Sequence, residues 1–179
     1  PSEVVLDGHG DRIRGCAFSP DGRFAATASD DHTARVWDVA TGECRLVLEN
    51  HDWAVLAVTY SADGAWIATG GEDNRAVIWN AASGEPKTVL KGHTAAITSI
   101  AFSSDSRRIL TGSRDQTAKF WDTASGREVL TLRGHDKPIS AVDFSPNGQH
   151  VLTASRDGTA ILWLSALETT PDGSRQLGQ

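Results

Sequence analysis

Short apolar runs, each closed by a cluster of turn residues, follow one another along almost the whole chain. IRGCAF from Ile13, VLAVTY from Val55, ITSIAF from Ile97 and ISAVDF from Ile139 form one set, ending in SPDG, SADG, SSDS and SPNG. Asp and Asn bond their own backbone in such turns and Gly tolerates positive φ, which is hairpin chemistry. A second run follows each turn (RFAATAS, AWIATGG, RRILTGS, QHVLTAS), and a third follows a tight turn built on Asp (TARVW, RAVIW, TAKFW, TAILW). This spacing of turns predicts an all-β chain of antiparallel meanders. No segment sustains a 3.6-residue apolar period, so a helical solenoid is excluded. A fourth run (CRLVLE from Cys44, PKTVLK from Pro86, EVLTLR from Glu128) reads as an outer edge strand. EVVLD near the start matches it, whereas the end of the chain holds no clear counterpart. In the first run Ile97 and Ile100 stand three apart with Phe102 two further on, so both strand faces are expected to be apolar. Copies of one small sheet stacked face to face would cover them.

The copies keep strict time. Trp37, Trp79, Trp121 and Trp163 stand 42 residues apart, as do His9, His51, His93 and His135, and Asp31, Asp73, Asp115 and Asp157. Three unrelated side-chain types on one period define a structural repeat, present four times.

Composition narrows the function classes. With 39% apolar and 22% charged residues the chain is globular in type, and 17 Lys and Arg against 23 Asp and Glu give a net charge of −6. That balance lacks the basic surplus that binds nucleic acid. Cys16 and Cys44 show neither metal-ligand spacing nor a disulfide framework, which fits a reducing, cytoplasmic setting better than secretion. No run has the apolar length that crosses a bilayer, so no membrane partner is expected. The start lacks Met, and targeting is unreadable from it.

The order GH, a strand ending in SPDG, a second strand, an Asp turn and then WD resembles the WD-repeat (WD40) family over roughly residues 3 to 164. The resemblance implies a β-propeller whose blades are four-stranded antiparallel meanders, four of them in residues 1–164, with residues 165–179 as a tail. Each repeat would span the outer strand of one blade and the inner three of the next. Asn50, Asn80, Ser106 and Leu164 depart from the usual Gly, Asp, Gly and Asp. The resemblance also implies a hydrogen-bonded tetrad in every blade: His9, Thr27, Asp31 and Trp37; His51, Thr69, Asp73 and Trp79; His93, Thr111, Asp115 and Trp121; His135, Thr153, Asp157 and Trp163. An indole N–H donates only, a hydroxyl and a neutral imidazole do both, and a carboxylate accepts only, so the four types can close one chain of bonds.

Thr, His and Asp together resemble a nucleophilic triad, yet a catalytic site copied into every unit and closed by an indole is better read as structure. Histidines at one position in successive blades are splayed apart, which argues against a metal. No Gly-rich phosphate loop is present, and no cofactor is expected. The resemblance places partner contacts on the narrow channel face, at residues flanking the start of the first strand and just before the tetrad Asp. These are Arg12, Arg14 and Asp30; Ala54, Leu56 and Glu72; Ala96, Thr98 and Arg114; and Pro138, Ser140 and Arg156. Trp53 stands beside them. Four arginines there suit an acidic or phosphorylated peptide, or else they pair with Asp30, Glu72 or Asp11.

Function is therefore expected to be non-enzymatic protein–protein interaction, as a scaffold of the kind found in signalling proteins. Two alternatives stay open. The repeats could be a sensor segment of a larger signalling enzyme, and their four blades are expected to be a piece of a longer propeller or else a half-ring that pairs with a second copy through open blade edges into eight blades.

Overall fold

The computed structural model describes residues 3–164. The tail expected at 165–179 lies outside the described residues. Blade 1 contains β1 (Ile13–Phe18), β2 (Phe24–Ser29), β3 (Thr33–Asp38) and β4 (Cys44–Glu49), and blade 2 contains β5 (Val55–Tyr60), β6 (Trp66–Gly71), β7 (Arg75–Asn80) and β8 (Pro86–Lys91). Blade 3 holds β9 (Ile97–Phe102), β10 (Arg108–Ser113), β11 (Thr117–Asp122) and β12 (Glu128–Arg133); blade 4 holds β13 (Ile139–Phe144), β14 (His150–Ser155) and β15 (Ala160–Leu164). All pairings are antiparallel between neighbours in sequence. Blade 4 has three strands among the described residues. The EVVLD run near the start, expected as a strand, carries no strand pairing there either.

The turns work as their residues dictate. After β1 the Ser19 hydroxyl donates to Asp21 at 2.6 Å and accepts the Phe24 N–H at 2.9 Å, and Ser61, Ser103 and Ser145 repeat the arrangement. The third turn residue is left-handed: Gly22, Gly64 and Gly148 take φ near 70°, and Ser106 takes 60°. Ser106 offsets that strain by accepting the Asp63 N–H across the blade boundary at 3.2 Å. Asn80 replaces Asp without loss, since its Oδ1 accepts the Ala82 and Ser83 N–H groups as Asp38 accepts those of Ala40 and Thr41. Leu164 has no such acceptor, and it is exposed.

The expectation that the strand from Ile97 is apolar on both faces is corrected by a bulge. Pairing runs Ser99 to Gly112 and then Ile97 to Ser113, so one extra residue sits between them. The slip turns Ile97 onto the face that already carries Ile100 and Phe102, and all three pack in one cluster with Ala68, Ala76 and Ile78 of blade 2. The opposite face is small and polar. Thr98 donates to the Gly112 and Ile139 carbonyls, and Ser99 accepts the Val142 N–H at 3.1 Å. At Gly15 an added Cβ would meet the Leu56 carbonyl at 3.3 Å, because β1 lies close against β5.

Successive blades therefore stack through one repeated contact: the first strand of each lies against the first and second strands of the blade before it, and its side chains reach the third. Volumes are matched across each boundary. Ala28 of blade 1 shares a cluster with Val55 and Val58, whereas Gly70 and Gly112, at the same repeat position, face the larger Ile97 and Ile139. A Cβ on Gly112 would lie 2.6 Å from Ile139 Cγ2. Gly112→Ala is accordingly expected to destabilise by about 1–3 kcal/mol through overpacking. Adding Ile139→Val reproduces the blade 1 to blade 2 solution and should recover most of the loss in urea unfolding. A double variant as unstable as the single one would contradict this matching.

Candidate functional site: one end of the blade stack

The loop entering each blade and the turn between its second and third strands meet at one end of the sheet, where the tetrads lie. In blade 1 the Trp37 indole donates to Thr27 Oγ1 at 2.7 Å, Thr27 is 2.7 Å from His9 Nε2, and His9 Nδ1 is 2.8 Å from Asp31. The same links measure 2.9, 2.8 and 2.9 Å through Trp79, Thr69, His51 and Asp73. They are 2.8, 2.7 and 2.7 Å through Trp121, Thr111, His93 and Asp115. Through Trp163, Thr153, His135 and Asp157 they are 2.9, 2.8 and 2.8 Å. One direction satisfies every group: indole N–H to hydroxyl oxygen, hydroxyl to imidazole Nε2, and Nδ1–H to carboxylate. Thr69, Thr111 and Thr153 are fully buried, which leaves no hydroxyl free to attack a substrate.

Each carboxylate also clamps backbone. Asp31 accepts the N–H groups of Gly10 and Thr33, and Asp115 those of Thr94 and Thr117. Burial alone would raise the Asp31, Asp73 and Asp115 carboxyls. Their hydrogen bonds from His, hydroxyl or Arg side chains and from the backbone outweigh it and hold all three well below the usual carboxylate range. Asp157 is held low first by the Thr159 hydroxyl. Blade 2 departs from the rest by two coupled residues. Gly71 stands where the other blades have Ser, and an added Cβ there would lie 2.6 Å from His51 Nδ1. Arg75 stands where they have Thr, and its guanidinium donates to Asp73 at 2.9 Å and to Asp52 at 2.7 Å.

The residues expected to meet a partner are held together by one further repeated bond. The Asp30 N–H donates to the Arg12 carbonyl, Glu72 to Ala54, Arg114 to Ala96 and Arg156 to Pro138. Their charges are not equivalent. Arg14 forms a bidentate pair with Asp30 at 2.7 and 2.6 Å, which holds that carboxyl below its ordinary range. Arg114 reaches across to Glu72 of blade 2 at 3.1 Å. Arg12 and Arg156 make no ion pair among the described residues and are exposed, as is Lys137 beside Arg156. Thr98 and Ser140 spend their hydroxyls on backbone carbonyls, Leu56 is half-buried, and Trp53 is 62% exposed. An open cavity of about 550 Å³ nearby is lined by Asp31, Glu49, Asp52 and Arg75, but Arg75 is already engaged by two carboxylates. Sequence reasoning missed Arg75 and Gly71. Their simultaneous departure from the Ser and Thr of the other three repeats was the available signal.

Four stacked meanders carrying these tetrads define repeated propeller blades. The family described as "WD domain, G-beta repeat" matches residues 2–38, 42–80, 84–122 and 126–163, and the chain belongs to it. A 41-residue stretch is 42% identical to the ribosome biogenesis protein BOP1 homolog of Drosophila virilis, covering 23% of this chain and 5% of that protein. A 43-residue stretch is 51% identical to the probable cytosolic iron-sulfur protein assembly protein Ciao1 of Culex quinquefasciatus, covering 24% of this chain and 13% of the relative. The rat protein BOP1 (Rattus norvegicus) is 46% identical over 41 residues, 6% of its length. Each match is thus about one repeat long and spans a small part of the relative.

The depressed carboxylates tie stability to pH. An unfolded Asp titrates near about 3.9, so below that range the unfolded chain binds protons that the folded one does not, and stability falls as pH falls. The melting temperature should hold between pH 6 and 8 and drop below about pH 5. Asp115→Asn should cost about 1–3 kcal/mol of stability, seen as a lower melting temperature on the plateau, and make the acid drop shallower. An unchanged melting temperature and an unchanged acid limb in that variant would contradict the role given to Asp115.

Proposed function

We propose that the chain is a non-enzymatic interaction module whose tetrad-bearing end binds an anionic, acidic or phosphorylated, segment of a protein partner. The observation that carries this reading is the unequal charge of that end. Arg14 and Arg114 are already paired with Asp30 and Glu72, while Arg156 and Lys137 stand exposed together on blade 4 without an ion-pair partner among the described residues. Arginine binds carboxylate and phosphate in a fixed fork and lysine adds a mobile point charge, so the two make an anion-receptive corner. Trp53, exposed on the loop into blade 2, supplies an apolar anchor for the same extended segment. Membership of a family whose repeats serve protein interaction supports the class of function. The free Cys16 and Cys44 support a reducing, cytoplasmic setting. Ribosome biogenesis and iron-sulfur assembly remain statements about the relatives that bear those names.

Titration of a fluorescent peptide rich in Asp, Glu and phosphoserine tests the reading. Arg156→Ala with Lys137→Ala should weaken binding about tenfold or more, as expected for loss of charge-assisted bonds. Arg114→Ala should have a smaller effect, because that side chain is committed to Glu72. Equal affinity in the Arg156/Lys137 variant, or binding insensitive to salt, would overturn the proposal.

A further inference from the structure

At the end of the sheets opposite the tetrads, the turn after β1 and the turn after β5 meet across the boundary between blades 1 and 2, where an added Cβ on Gly64 would lie 3.7 Å from Pro20 Cδ. Between these turns opens a cavity of about 260 Å³, lined by the rings of Phe24 and Tyr60 and by the carboxylates of Asp21 and Asp63. Each carboxylate spends Oδ1 on its own turn, accepting the hydroxyl of Ser19 or Ser61 and the N–H of Arg23 or Ala65. Neither forms an ion pair among the described residues. Two negative charges therefore stand at one aromatic cavity with no cation paired to them.

Tyr60 adds a polar group that the packing does not require. The same repeat position holds Phe18, Phe102 and Phe144 in the other blades, and Phe102 packs into the next boundary without the oxygen. Tyr60 is 9% exposed, and its hydroxyl has no hydrogen-bond partner. Burial and the nearby Asp21 charge push the phenol up to about 12, so it keeps its proton. A buried hydroxyl left unpaired destabilises the empty cavity, and a ligand that bonds to it removes that cost.

The corresponding place one blade further on shows which group suits it. There the Lys87 ammonium lies 4.0 Å from the centroid of the Trp66 ring and donates to the Thr123 carbonyl at 3.1 Å. Trp66 and Thr123 are the repeat equivalents of Phe24 and Ala81, and Ala81 also lines the cavity. At the first boundary Arg45 stands in place of Lys87. Its guanidinium stays 5.8 Å from the Phe24 centroid, beside that of Arg23 at 5.6 Å, and neither side chain lines the cavity. An ammonium is drawn in at this position, whereas a guanidinium stays outside.

We infer that the cavity between blades 1 and 2 takes a lysine side chain from a basic segment of a protein partner. Its methylene stem lies along Phe24 and Tyr60, and its ammonium gives protons to Asp21, Asp63 and the Tyr60 oxygen. The net charge of −6 favours the approach of such a segment. The cavity lies at the opposite end of the blades from Arg156 and Lys137, so it neither rests on nor competes with the anionic segment proposed for that end.

Tyr60 is the chain's single tyrosine, so protein carrying isotope-labelled tyrosine reports on the cavity through one nuclear magnetic resonance signal. Titration with a capped peptide of Gly, Ser and Lys should move that signal to a saturable limit. The same peptide with acetyl-lysine, or with Arg in place of Lys, should leave it where it was. Asp21→Asn with Asp63→Asn should weaken binding about tenfold or more. The fold should survive that change, because Asn147 already accepts the Ser145 hydroxyl and the Gln149 N–H in the equivalent turn of blade 4. Tyr60→Phe, followed by peptide fluorescence, should weaken binding several-fold without lowering the melting temperature. A tyrosine signal that ignores the lysine peptide, an equal response to the acetylated or Arg peptide, or full affinity in the double Asn variant would overturn the inference.

Discussion

A single buried hydroxyl in each blade carries the arrangement around it. Thr27, Thr69, Thr111 and Thr153 lie on the middle of three inner strands, where water cannot reach and where an indole N–H from the next strand points. Only a group that accepts and donates at once can take that proton and pass a bond onward to an imidazole. Valine, of similar shape, would strand both the indole and the histidine. The imidazole in turn fixes the Asp, and the Asp fixes the backbone of two loops. A hydroxyl inside the sheet therefore decides the shape of the loops at its end, and those loops carry the residues that face a partner.

The blades themselves are held by a contact of a different kind, apolar and graded by volume. Ala opposite Val and Gly opposite Ile are two solutions to one spacing, and both occur in this chain. Because the contact has a donor face and an acceptor face, a stack of blades has direction, and any open stack ends in one face of each kind. The hydrogen-bonded interior of a blade and the apolar seam between blades thus have separate roles, the first shaping loops and the second setting order.

Much of this was legible in the sequence because the repeat is strict. Four tryptophans, four histidines and four aspartates on one 42-residue period made the blade and its turns readable from the residues, and the family resemblance added the members of the tetrad. What escaped was whatever depends on a neighbour in space. The bulge after Ile97 is invisible in a run of apolar residues, and without it the strand reads as apolar on both sides. The four arginines look alike in the sequence, yet Arg14 is neutralised by Asp30 in the turn between β2 and β3, and Arg114 by Glu72 of another blade. Ser106 reads as a lost glycine until its hydroxyl is seen accepting an N–H from a residue one repeat earlier. Arg75 shows the same limit, since its guanidinium joins Asp73 to Asp52, two carboxylates that lie far apart in the sequence.

The most direct measurement is hydrogen exchange at the indole nitrogens, followed by nuclear magnetic resonance on protein labelled at tryptophan. Of the six tryptophans, Trp37, Trp79, Trp121 and Trp163 donate to a strand hydroxyl, whereas Trp53 and Trp66 make no such bond among the described residues. The account predicts four slowly exchanging indole protons and two fast ones, with the slow set released together when the protein unfolds. Six indoles exchanging at similar rates would contradict it, because the hydroxyl at the centre of each blade would then be holding nothing.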